Sequence, residues 1–389
     1  MSIVADIADL CSDATLWRRD FHSHPELMYD VHRTANVVAR QLESFGCDEV
    51  ATGIGQTGVV GVIRGRRKSG SPSKVIGMRA DMDALPIMET TGLKYQSVTA
   101  GRMHACGHDG HTAMLLAAAR HLAETRNFSG TAVVIFQPAE EGGAGAKAML
   151  DDGLIERFGI QEVYGMHNLP GMEAGKFGLR AGPAMASADL FTIDIDGVGG
   201  HGAWPHITVD PVLIGAHIVT VCQSIVSRNI DPVEGAVVSI TMFHGGDASN
   251  VIPDSVQMQG TARSFTAATR EFLHKRMAEI VEGTAKLHGA RARLTWKAGY
   301  PVTFNHPEQA AFATSVAREV AGDSQVTADL APMMSTEDFS FMLEARPGAY
   351  IFVGNGSSAG WHHPAYDFND QVIPLGTSYW IRLAERALA

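Results

Sequence analysis

The sequence predicts an α/β fold: a mostly parallel sheet flanked by helices, interrupted by an inserted ferredoxin-like α+β domain. Three observations point to it. Over the first two hundred residues, short β-branched runs alternate with amphipathic helical stretches, the order of βαβ units. After Gly182-Pro183 the texture changes to alternating strands around two helices, and beyond Trp296 the first texture returns. The simplest division is a domain of residues 1–182 plus 297–389 and an inserted domain of residues 183–296.

In the first segment, strands are expected at Val59–Ile63, Lys74–Arg79, Ala132–Phe136 and Val163–Met166, short apolar runs suited to burial on both faces. Helices are expected at Thr34–Phe45, Thr112–Thr125 and Ala144–Asp152, with Gly153 closing the last. The insertion reads as strand Leu190–Asp196, helix Asp210–Arg228, strands Ala236–Phe243 and Ser255–Phe265, helix Thr269–His288 and strand Ala290–Trp296. That order, βαββαβ, is the split βαβ sandwich. Helix Gln309–Ala321, strand Tyr350–Val353 and helix Ser378–Leu388 complete the outer domain.

Composition narrows the function. At 389 residues, 45% hydrophobic and 19% charged, the chain can bury full cores, which excludes disorder and favours two domains. A net charge of −11, with no basic run beyond Arg66–Lys68, lacks the footprint of a nucleic-acid binder. Asp6 and Asp9 interrupt the start where an export signal would be apolar, so a cytoplasmic location is expected. Apolar stretches such as Ala113–Ala119 fall far short of the roughly 18–20 residues that span a bilayer, so no membrane is expected. Cys11, Cys47, Cys106 and Cys222 are then expected to stay reduced.

Four strand ends carry the chemistry. His104-Ala-Cys106-Gly-His108-Asp-Gly-His111 sets a thiolate and imidazoles two residues apart, on one face of an extended segment. A helix follows, with Asp109 or Thr112 placed to cap it. Glu140 and Glu141 follow the strand ending at Phe136, His167 follows Met166, and His362-His363 follow the strand at Tyr350. Alone, the His104–His111 cluster favours metal ligation, the paired acids read equally well as a solvated turn, and a strand-end histidine reads as a structural hydrogen-bonding group. In an open α/β sheet, however, the carboxyl ends of the strands gather in one crevice. Thiolate, imidazole and carboxylate together suit zinc, manganese, cobalt or nickel, singly or as a pair about 3.5–4 Å apart. Cys-x-x-Cys spacing is absent, which argues against a closed structural zinc site. Asp81 or Asp83 is placed to brace a ligating histidine. Ser335-Thr336-Glu337-Asp338-Phe339 reads as a hydroxyl helix cap, and His22, His24 and Glu26 read as structural.

Over its whole length the sequence resembles the amidohydrolases that include hippurate hydrolase and indole-acetyl-amino-acid hydrolase, within the dinuclear aminoacylase and carboxypeptidase metallopeptidases. The matching strings are RADMDALP (Arg79 to Pro86), HACGHDGH, QPAEEGGAGAKAM (Gln137 to Met149), GMHN, GGHGAWPH (Gly199 to His206), NVIPD (Asn250 to Asp254) and HHPAYDFND (His362 to Asp370). The resemblance implies that Cys106, His108, Glu141, His167 and His362 hold two divalent ions and that Glu140 is the general base. His363 is set aside, because the family's ligand stands two residues before the proline; Trp361 replaces the usual leucine. The insertion resembles a lid that pairs two subunits into a homodimer, which can pair again as a tetramer. His201 and Asn250 would reach the substrate from the partner chain, and Arg263 would bind the substrate carboxylate. The implied reaction is hydrolysis of a small N-acyl-L-amino acid. Three rivals stay open: a dipeptidase or aminopeptidase with the same metals, a metal-independent hydrolase using Cys106 as nucleophile, and a silent binding protein.

Overall fold

The computed structural model describes residues 7–67 and 74–389; Asp6 and Lys68, on which two expectations above rest, lie outside them. The chain divides into two compact units: Met1–Ala184 with Phe304–Ala331 and Asp338–Ala389, and Met185–Thr303 with Pro332–Glu337.

The first unit is built on an eight-stranded sheet. Its strands are β1 (Glu49–Ile54), β2 (Gly58–Arg64), β3 (Val75–Asp81), β4 (Thr131–Gln137), β5 (Glu162–Pro170), β6 (Phe177–Gly178), β7 (Val326–Thr327) and β8 (Gly348–Gly356). Across the sheet the order is β1, β2, β4, β3, β5, β8, β6, β7. β3 runs parallel to β4 and β5, and β5 parallel to β8, so these four central strands end on one edge. The antiparallel pairs, β1 with β2, β2 with β4 and β8 with β6, lie outside them. From β3 the chain crosses to β4 on one side and then to β5 on the other, which makes the β3/β5 boundary a topological switch point. The residues explain the strands: β2 and β4 are β-branched and almost wholly buried, as central strands covered on both faces must be.

Helix α1 (Ala8–Ser23), unexpected from the sequence, buries Leu10, Ala14 and Phe21. Helix α2 (His32–Ser44) packs on β1 and β2. Helix α3 (His108–Thr125) starts four residues earlier than expected and is buried almost throughout. Its run of alanines lets α1 and the C-terminal helix Ile373–Ala387 pack closely against it. β5 also exceeds its expected length. β8 continues to Gly356 and offers partners for His167 and Asn168, which pair with Phe352 and Val353 inside the ladder.

In the second unit, Asp189–Asp196, Ala236–His244, Ser255–Ser264 and Arg291–Ala298 form a four-stranded sheet in the order second, third, first, fourth. All neighbours are antiparallel, which is the split βαβ topology. Helices Pro211–Ser224 and Ala267–Leu287 pack on it over Phe191, Ile193, Ile195, Ile218, Met258, Leu273 and Met277. Asp210 caps the first helix, its carboxylate accepting from the amides of Val212 and Leu213 ahead of Pro211 at the first turn. Among the described residues one helix, Pro211–Asn229, is long and apolar enough to cross a membrane. His217, Thr220, Gln223 and Ser224 interrupt its apolar run. Its Ile214, Ile218, Cys222 and Ile225 are buried in the unit's own core.

Truncation of Leu116, fully buried in α3, tests the packing of the first unit. Leu116→Ala should lower stability by about 2–5 kcal/mol, measured as a lower urea midpoint.

Candidate metal centre

The carboxyl edge of the parallel strands is shaped by backbone that few residues tolerate. Gly107, just before α3, has φ +96°, and a Cβ there would lie 2.2 Å from the Asn168 side-chain nitrogen and 2.6 Å from the Tyr366 hydroxyl. Only glycine fits between Cys106 and His108. After β4, Ala139 and Ala144 take φ +54° and +56°, a conformation disfavoured for L residues. The loop between them is held by Asp83, whose carboxylate accepts from the backbone N–H of Glu140 at 2.9 Å and of Glu141 at 3.1 Å. His362 also has positive φ, +62°. Its N–H donates to the Ala105 carbonyl at 2.8 Å, which ties the loop after β8 to the Cys106 segment.

Five side chains from these segments meet. Cys106, His108 and Glu141 present donor atoms all within 4.8 Å of one another. Cys106 Sγ is 3.5 Å from His167 Nε2, and His362 Nε2 is 3.3 Å from Glu141 Oε1. The tautomers follow from the partners. His108 Nδ1 faces the Asp83 carbonyl at 2.8 Å and His167 Nδ1 the Asn168 carbonyl at 2.7 Å. A carbonyl only accepts, so both rings carry a proton on Nδ1 and turn Nε2 to the cluster. His108 Nε2 and Glu141 Oε1 are buried with no hydrogen-bond partner. Polar atoms without a hydrogen bond at such depth are costly, and a cation held here would answer both. Glu140 is buried alongside, and its Oε1 accepts from the Asp338 amide at 3.4 Å.

A second group, Asp81, His108, His111 and His167, is equally compact, but two of its members are already occupied. His111 Nδ1 bonds Asp81 Oδ1 at 2.6 Å and its Nε2 accepts the Asn168 N–H at 3.0 Å. Asp81 Oδ2 accepts from Arg79 at 2.7 Å. The choice between Asp81 and Asp83 as brace therefore has a different answer. The Asp83 backbone carbonyl orients His108, while its carboxylate, 3.6 Å from the ring, serves the Glu140–Glu141 loop, and Asp81 holds His111.

Two expected caps are corrected. No side chain caps α3. Asp109 instead bonds buried His22 at 2.8 Å and lies 3.5 Å from Arg18, while the Thr112 hydroxyl donates to the Asp81 carbonyl. Nor does a hydroxyl cap helix Ser340–Ala345. Asp338 is buried, accepting from Arg79, Gln137 and the Ala146 amide. Glu26 accepts from the amides of Arg33 and Thr34 at the start of α2, and His24 bonds the Asp20 carbonyl. His363 is exposed, its Nδ1 accepting from the Ala365 amide. Sequence reasoning missed Asn168, Arg79 and Asp338. The available signal was Arg79 and Asp81 inside a strand too apolar to leave them unpaired.

His201, Asn250 and Arg263 lie in the second unit. His201 is exposed on a two-stranded ribbon where it pairs with Val251, and Gly202 N–H donates to the Asn250 carbonyl at 2.8 Å. The His201 ring lies 5.2 Å from that of Trp204. Arg263 is half-buried, donating to the Thr261 hydroxyl and the Ala262 carbonyl.

The electrostatics are those of an acid-rich pocket. Burial opposes charge on His108, yet Asp81, Asp83 and Glu141 push its pKa up to about 10. Burial, then Glu141 and Glu140, raise the Cys106 thiol well above its ordinary range. Against its own burial, Glu141 is lowered by His362 and His108. Burial and His111 hold His167 well below the usual imidazole value.

Comparison with known proteins fits this geometry. Residues 77–386 match peptidase family M20/M25/M40. The chain is 42% identical over 388 residues to hippurate hydrolase of Campylobacter jejuni subsp. jejuni serotype O:2, covering 100% of both. It is 38% identical over 368 residues to N-acetylcysteine deacetylase of Bacillus subtilis strain 168, covering 94% of each. Among solved structures it is similar to the Bacillus subtilis YXEP protein, a dinuclear metal binding peptidase from the M20 family. That match has a TM-score of 0.85 and 34% identity, over 98% of this chain and 99% of the other.

The raised proton affinities set a pH dependence. Both His108 and Cys106 hold their protons at pH 7, and a metal ion held by these side chains would have to displace them. Metal affinity should therefore rise between pH 6 and pH 9, by about tenfold per unit for each proton released. Calorimetric titration in buffers of different ionisation heat counts those protons.

Proposed function

The chain belongs to peptidase family M20/M25/M40, and from that premise we propose that it is a metal-dependent amidohydrolase. It cleaves the amide bond of small N-acyl-L-amino acids to a carboxylic acid and a free amino acid, as the names of its relatives suggest. One observation carries the reading: five metal-type side chains from separate segments meet, and two of their buried atoms, His108 Nε2 and Glu141 Oε1, make no hydrogen bond. Cys106, His108, Glu141, His167 and His362 are the residues that would hold two divalent ions, with zinc, manganese, cobalt or nickel suited to the mixed donor set. Bound there, the pair supplies Lewis acidity at the amide carbonyl and the attacking water.

The remaining work falls to the chain. Glu140 takes a proton from the attacking water and returns it to the leaving nitrogen; Asp83 and the Asp338 amide hold it in place. Arg263 binds the carboxylate of the released amino acid, for which a planar guanidinium fork is well shaped, with Asn250 beside the substrate. His201, exposed on its ribbon, polarises the scissile carbonyl of the other subunit in a homodimer. Exposed apolar residues support pairing through the second unit: Val212, Leu213 and Val221 on its helix, and Met242 and Phe243 on its edge strand. Two such dimers would make the tetramer. The four cysteines are unpaired, in keeping with a cytoplasmic location. The nucleophilic-cysteine rival is disfavoured, because burial and the neighbouring carboxylates raise the Cys106 thiol, whereas a reactive thiol needs the reverse.

Glu140→Gln should leave two ions per chain, counted by elemental analysis, and lower kcat on a benzoyl or acetyl amino acid by about 10²–10⁴-fold. Unchanged turnover would remove Glu140 from the mechanism, and activity surviving complete chelation would restore the Cys106 reading. Arg263→Ala should raise KM about 10–100-fold for acyl amino acids, the weight of a hydrogen bond to a charged group. It should change KM little for their methyl esters, as steady-state kinetics would show.

A further inference from the structure

Asn168 stands directly after His167 in β5 and is fully buried. Its own N–H donates to His111 Nε2 at 3.0 Å, and its carbonyl accepts from His167 Nδ1 at 2.7 Å. Its side-chain NH₂ donates to the Cys106 carbonyl at 2.7 Å and lies 3.0 Å from His111 Nε2. On the other side, Oδ1 accepts from the Tyr366 hydroxyl at 2.9 Å and from Trp361 Nε1 at 3.4 Å. The Trp361 ring also meets the His167 ring edge-on, with centroids 5.0 Å apart.

These partners fix both the identity and the orientation of the side chain. The Cys106 carbonyl only accepts, and the indole N–H only donates. His111 is held with its proton on Nδ1 by Asp81, so its Nε2 also only accepts. A group between them must present donors to one side and an acceptor to the other, which an amide does and a carboxylate or hydrocarbon does not. The bonds reach the backbone of Cys106, the ring of His167, the residue preceding His362, and α3 one turn beyond His108. Asn168 thus touches every ligand-bearing segment except the Glu141 loop. Trp361 contributes an indole N–H to Oδ1, a donor that an aliphatic side chain lacks.

We propose that Asn168 is the positioning residue of the metal centre, its amide holding the Cys106, His167 and His362 segments in one register. The proposal rests on the ligand set above, and its test separates the two. Cobalt(II) bound to a thiolate gives a sulfur-to-metal absorption band in the near ultraviolet, which reports Cys106 directly. In Asn168→Asp the new carboxylate faces the Cys106 carbonyl and the His111 lone pair. Cobalt(II) affinity, measured against a competing chelator, should fall about 10–100-fold, the usual scale for the partners of metal ligands, and the thiolate band should shift or fade. Tyr366→Phe and Trp361→Phe each remove one donor to Oδ1 and should give smaller losses in the same direction, so the test stands even if Asn168→Asp fails to fold. The thermal midpoint of the metal-free protein is followed in parallel. A midpoint that falls while affinity stays within twofold and the band is unchanged in all folded variants would overturn the positioning role. Absence of the band in the unsubstituted protein would overturn the ligand set, and the proposal with it.

Discussion

Everything at this edge of the sheet depends on how buried polar atoms are satisfied. Removing carboxylates, imidazoles and a guanidinium from water is tolerable only when each finds a partner of the right kind. Arg79, Asp81, His111, Gln137 and Asp338 find theirs in one another. His108 and Glu141 do not, and each leaves one atom unanswered. Asp81, His111 and Asp338 are satisfied around them, while His104 on the same segment also leaves both ring nitrogens without a hydrogen bond. The protein portion of the centre is pre-arranged, at a cost in stability that bound cations would offset.

The same accounting separates donors that look alike in sequence. His108, His111 and His167 are all buried imidazoles near one carboxylate cluster. The other nitrogen of each ring decides its function. A backbone carbonyl at Nδ1 leaves the Nε2 of His108 and His167 facing the cluster, whereas His111 spends both nitrogens on Asp81 and Asn168. Asp83 divides itself similarly, its carbonyl orienting an imidazole while its carboxylate shapes the Glu140–Glu141 loop.

The fold was largely legible because its signals are local. β-branched runs gave the central strands, and the change of texture after Gly182 marked the split βαβ sheet. Two elements were not legible: α1, whose buried face includes the charged Arg18 and His22, and β1, an edge strand with Glu49, Thr52 and Gly53 exposed. The donor residues stood out because thiol, imidazole and paired carboxylates follow buried strands. Their supports did not, since Asn168, Asp338 and Tyr366 act through partners distant along the chain, and nothing local to Asn168 distinguishes it from a loop asparagine. The misread caps at Asp109 and in Ser335–Phe339 share that cause: a polar residue near a helix start reads as local until its carboxylate, or a neighbouring one, is claimed by a buried cation or imidazole.

The placement of the second unit within the chain has a consequence for synthesis. β5 carries His167, yet its neighbour β8 and the loop bearing His362 follow the whole of Met185–Thr303. On the ribosome, domains form in order of emergence, so the intervening four-stranded unit is made while the larger sheet still lacks a central strand. Nascent chains therefore expose one flank of β5 for as long as translation of that stretch lasts. The last imidazole arrives only with the closing strand, so completion of the sheet and completion of the ion-binding pocket are the same event in the life of each molecule.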